Sequence, residues 1–114
     1  MAERRAGTGA GVPPESAELR RLRRRIDALD RRIVRLLNDR ATVAQEVGRA
    51  KAAIGRRAIR DGEREKEILL RVAMTNHGPM PQADLIAIYR RLFVATRALE
   101  AADRRRSGRE TGDA

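Results

Sequence analysis

One arginine poses the first chemical question in this chain. Between Ser16 and Ile54 apolar residues recur in steps of three and four: Leu19, Leu22, Ile26, Leu29, Ile33 and Leu36, then Val43, Val47, Ala50 and Ile54. The same stripe passes through position 40, which is Arg40. A guanidinium on a packing seam is costly unless a carboxylate or a bound anion meets it there. Lys51 returns to within ~20° of the same helical face, about 16 Å further along the axis. Two long cations leaning inward from one helix bracket a small ligand that carries two negative groups.

Other polar residues also stand on apolar lines. Asp61 and Glu65 are an i,i+4 pair leading to Ile68 and Val72, and Thr96 and Glu100 extend the line of Leu85, Tyr89 and Phe93. Each has a plainer reading. Arg40 suits a structural ion pair, Lys51 a snorkelling cation near a helix end, and Asp61 a helix cap. Glu65 suits a partner for Arg64 or Arg40, Thr96 a satisfied core hydroxyl, and Glu100 a surface carboxylate. Arg23, set among Arg20, Arg21, Arg24 and Arg25, reads most simply as solvated charge. Spacing alone leaves these choices open.

The elements that must position these residues are three helices: long, short and medium. Residues 1–15, rich in Gly, Ala and Arg with Pro13-Pro14 near the end, read as a disordered leader. Residues 16–105 form the helical domain and 106–114 a flexible polar tail. Ser16 is placed to cap a first helix that runs to about Ala53 and stops at Gly55. Such a helix is roughly 55 Å long, so it must pair with another helix or protrude. A second helix starts at Asp61 and runs to about Thr75. After the turn Asn76-His77-Gly78-Pro79, a third begins at Pro81 and frays near Arg105.

Composition narrows the function classes. The chain has 114 residues, no Cys, one His, one Tyr and one Phe. One domain is expected, with a core too light in aromatics to stand alone, so oligomerisation is expected as well. Disulfides, thiolate metal sites and His clusters are excluded. No apolar run approaches a membrane span of ~20 residues, and no signal peptide is visible, so the expectation is a soluble cytoplasmic protein. The net charge is +10, and residues 16–60 hold 14 Arg/Lys against 5 Asp/Glu. That surplus calls for an anionic partner, either nucleic acid or a small polyacid. Nucleic acid is disfavoured, because Arg40 and Lys51 face the seam and there are almost no rings to stack on bases.

At these residues the sequence resembles the all-helical family of chorismate mutases. The likeness runs from about Leu19 to Glu100. It rests on LRRRIDALDRRIVRLLNDR (22–40), VAQEVGRAK (43–51), IRDGERE (59–65) and IYRRLFVATRALE (88–100), in order and at the family's spacing. The resemblance implies an all-α intertwined homodimer whose long first helices pair, with each of two sites built from both chains. It implies that Arg40 and Arg23 of the second subunit bind the substrate carboxylates. Lys51 then touches the ether oxygen and a carboxylate, Asp61 and Glu65 stand near the ring hydroxyl, and Arg64 is a further site arginine. Thr96 stands near a carboxylate, and Glu100 where many members have Gln.

The implied reaction is the rearrangement of chorismate to prephenate in Phe and Tyr biosynthesis, with no nucleophile, metal or cofactor. Lys51, Glu100 and Arg40 would be its catalytic groups. An ionised Glu100 cannot donate to an ether oxygen, so it would have to carry a proton. Alternatives on the same scaffold are a 4-amino-4-deoxychorismate mutase and an isochorismate pyruvate-lyase, the latter fitting Glu65 less well. A basic helical dimer that binds nucleic acid is the alternative from another class. Many members of this family act beside the first shikimate-pathway enzyme, which makes a partner enzyme a further expectation.

Overall fold

The computed structural model describes residues 11–112, so most of the expected leader and the last two residues of the expected tail lie outside it. The described residues form three helices and no strand: α1 (Ala17–Ala53), α2 (Gly62–Thr75) and α3 (Gln82–Gly112). No helix among them is long and apolar enough to cross a membrane.

Local chemistry sets the helix ends. Ser16 caps α1 by accepting from the Leu19 amide at 3.0 Å. The other end closes at Gly55, whose φ of +82° is left-handed. There the Gly55 amide donates to Ala52 and the Arg56 amide to Lys51, at 3.0 and 2.9 Å, which is a Schellman closure. Asp61 caps α2 through the Arg64 amide at 3.0 Å. Asn76 ends that helix and braces the following turn, its amide donating to the Met80 carbonyl at 3.1 Å.

α3 continues past Arg105, where fraying was expected, to Gly112. The reason is tertiary. Asp103 receives Arg49 of α1 at 3.0 Å and Arg106 at 2.9 Å. Arg104 donates to the carbonyls of Arg57 and Gly48. The bonds to Arg49, Arg57 and Gly48 tie α3 to other elements at residues 103 and 104, and the Arg106 bond lies within α3.

The chain divides into two units, one up to Leu37 and one from Asn38. In the first, the apolar stripe lies open: Leu19, Leu22, Ile26, Leu29, Ile33 and Leu36 are 39 to 60% exposed. Among the described residues the seam expected to be buried is thus exposed. In the second, the end of α1, α2 and α3 come together around Phe93, which is buried. Tyr89 meets Phe93 edge to face, with ring centroids 6.4 Å apart.

Candidate active site

The second unit holds a cavity of about 440 Å³. Arg40, Lys51, Asp61, Arg64, Glu65, Thr96 and Glu100 all line it. Seven of the eight residues singled out from sequence are thus brought together. The eighth, Arg23, belongs to the first unit, where its guanidinium pairs with Glu15 at 2.6 Å and is largely exposed.

Arg40 is half-buried, and its guanidinium carbon stands 5.8 Å from the ring centroids of both Tyr89 and Phe93. Aromatic faces, rather than a carboxylate, therefore hold the charge on the stripe. Such contacts contribute about 0.5–2 kcal/mol. Ring contacts of this kind take none of the five N–H donors of a guanidinium as a carboxylate would.

Lys51 and Glu100 face each other. The Lys51 ammonium donates to the Ile59 carbonyl at 2.9 Å and stands 3.6 Å from Glu100 Oε2. Their side chains are 12 and 9% exposed, so neither is a surface charge. Glu100 fits because buried Gly48 leaves room: a Cβ there would lie 3.0 Å from Glu100 Oε2. Among the described residues Oε2 has no hydrogen-bond partner.

The remaining candidates are already bonded. Asp61 is the α2 cap, as its plainer reading had it, and its other oxygen lies 3.6 Å from Arg56. Arg64 pairs with Glu67 at 3.0 Å. Glu65 pairs with neither Arg64 nor Arg40 but with Arg97, and with Arg60 at 3.5 Å. The Thr96 hydroxyl lies 3.0 Å from the Leu92 carbonyl and 3.2 Å from that of Phe93, the back-bond of a satisfied hydroxyl.

Two charged cavity residues were missed from sequence, Arg56 and Arg97. With them, five cations (Arg40, Lys51, Arg56, Arg64, Arg97) face three carboxylates (Asp61, Glu65, Glu100). With all three carboxylates ionised, the lining carries two more positive than negative groups. No grouping that could hold a metal occurs among the described residues.

Known proteins share this arrangement of helices. The family model for chorismate mutase type II matches residues 22–101. A chorismate mutase from Thermus thermophilus (form II) superposes with a TM-score of 0.70 at 32% identity, covering 74% of this chain and 94% of its own. Form I of that protein gives a TM-score of 0.66 at 32% identity, covering 69% and 98%. The bifunctional chorismate mutase/prephenate dehydratase of Aquifex aeolicus is 39% identical over 87 residues, which is 73% of this chain and 24% of that protein. The enzyme of the same description from Stutzerimonas stutzeri is 37% identical over 90 residues, 75% of this chain and 25% of its own. The chain therefore spans about a quarter of the length of the curated relatives it matches. By the match that covers most of its helical length, this chain belongs to the chorismate mutase type II family.

Proposed function

We propose that the chain rearranges chorismate to prephenate in the cavity between α1, α2 and α3, as one step of aromatic amino-acid biosynthesis. The observation that carries this reading is the pair of opposed, nearly buried groups Lys51 and Glu100, beside an Arg40 whose donors no described carboxylate takes. The reaction breaks one C–O ether bond and forms one C–C bond within the same molecule, so it needs no nucleophile and no cofactor. It needs a flexible dianion held compact, and donors placed where negative charge grows.

Arg40 takes a carboxylate and Lys51 reaches the ether oxygen and the second carboxylate. Glu100, 3.6 Å from the Lys51 ammonium, faces the ether oxygen from the other side. Asp61 and Glu65 accept from the ring hydroxyl, and Arg64 and Thr96 complete the wall. Thr96 serves mainly through its lone pairs, since its proton is committed to the backbone.

We further propose that two copies assemble along the open stripe of α1. Leu22, Ile26 and Leu29 are each at least 39% exposed, and covering such a row is the usual reason for helices to pair. An antiparallel partner then supplies Arg23 of the second copy to the cavity.

The test is direct. Purified protein is given chorismate, and separately 4-amino-4-deoxychorismate, and the products are identified. Prephenate from chorismate as the faster reaction supports the reading. Preference for the amino substrate moves the assignment to the alternative mutase, and no product from either removes it.

A further inference from the structure

Glu65 is held by two arginines from outside its own helix. Arg97 of α3 bonds one of its oxygens, and Arg60, from the segment before α2, stands 3.5 Å from the other. The Glu65 side chain is 16% exposed and that of Arg97 27%, so the pair is partly withdrawn from water inside the cavity wall. Two charge-assisted contacts fix the plane of the carboxylate. An ionised carboxylate can only accept hydrogen bonds. It has about four lone-pair sites, so two arginines leave it able to accept one more donor.

We infer that Arg97 is a positioning and specificity-determining residue: by clamping Glu65 as a fixed acceptor, it makes the cavity select a ring substituent that donates a hydrogen bond. This rests on the reading of the cavity as a chorismate site. Arg97 has a second effect through charge. It is one of the five cations that line the cavity. Without it, Glu65 keeps Arg60 as its one cation partner among the described residues, near an anionic substrate.

The other charged groups around the cavity do not replace it. From α1, Lys51 is engaged by Ile59 and Glu100. On α2, Arg64 is turned to Glu67, and Arg56 from the connecting segment stands by Asp61. Arg97 is the cation that α3 contributes to the cavity.

The experiment measures kcat and KM for chorismate in wild type, Arg97→Leu, Arg97→Lys, Glu65→Gln and the double variant Arg97→Leu/Glu65→Gln. Arg97→Gln stands in wherever Arg97→Leu does not fold by circular dichroism. Losing a charge-assisted bond is expected to lower kcat/KM about tenfold or more, with Arg97→Lys recovering most of it. In the Glu65→Gln background the same loss should shrink to roughly threefold or less, because no unpaired charge remains. A loss of equal size in both backgrounds, or none in either, overturns the inference while leaving an active wild type. A wild type that does not turn over chorismate removes the functional reading and this inference with it.

Discussion

The ammonium of Lys51 and the carboxylate of Glu100 lie 3.6 Å apart, both nearly buried, across the junction of α1 and α3. The pair joins the first helix to the third at the point where the ether bond of the proposed substrate would break. The consequences are specific.

The first concerns pH. A carboxylate donates a hydrogen bond only when protonated, so a donor role for Glu100 makes kcat/KM fall as pH rises. Glu100→Gln donates at any pH and should show a flatter profile. Rate profiles of the two proteins between pH 4.5 and 8.5 check this (about the range over which carboxylate and amide donors diverge). The same slope in both proteins removes Glu100 as donor.

The second concerns Gly48. A methyl group there would come within 3.0 Å of Glu100 Oε2 and 3.2 Å of its Cγ, so Gly48→Ala must shift that side chain. Alanine gains about 1 kcal/mol of helix propensity, while overpacking costs about 1–3 kcal/mol. The balance runs from about zero to a net cost of about 2 kcal/mol, so Tm should hold or fall by several degrees. Activity should drop about tenfold or more, since a small misplacement of a reacting group is costly. A Tm measurement beside a rate measurement separates the two effects.

Much of this was legible in the sequence, and the misses have a common cause. Ser16, Gly55 and Asp61 marked helix ends because capping is local chemistry. Arg40, Lys51 and Glu100 drew notice because they broke an apolar period. Arg97 broke no period; it follows Thr96 directly and looks like one more surface arginine. Its meaning comes from Glu65 on another helix, which no spacing along α3 announces. The unexplained polarity of Glu65 was the available signal, and the partners suggested for it were the wrong ones. α3 likewise runs past Arg105, where fraying was expected, and its ties to Arg49, Gly48 and Arg57 just before that point were not visible along the helix. The stripe of α1 was read as a packing surface, and among the described residues it stands exposed.

A third prediction follows from that stripe. If each site combines Arg40 of one copy with Arg23 of another, inactive Arg23→Ala and Arg40→Ala chains should complement. Co-refolding equal amounts gives one intact site in each mixed dimer, so roughly a quarter of wild-type activity should return. No recovery, with mixed dimers demonstrated by differential tagging, places both arginines in one chain's site or Arg23 in none.

The fourth concerns acid stability. The hydrogen bond from Arg49, reinforced by Arg106, holds the Asp103 carboxyl below its ordinary value of 3.8, against the opposing effect of desolvation. A carboxyl lowered on folding contributes stability above the unfolded value and loses it as pH falls through the folded one. Tm should therefore drop between pH 6 and pH 3 by more in wild type than in Asp103→Asn. Equal drops show that the Arg49–Asp103 bridge does not couple to folding.

The central claim is that the cationic cavity performs the rearrangement. The most direct test follows chorismate consumption and prephenate formation by wild type, Arg40→Ala and Lys51→Ala, each shown folded by circular dichroism. Wild type should turn over, and each variant should lose about 10²-fold or more, the scale for removing a fixed donor from a charge-developing site. Undiminished turnover in either variant would contradict the claim.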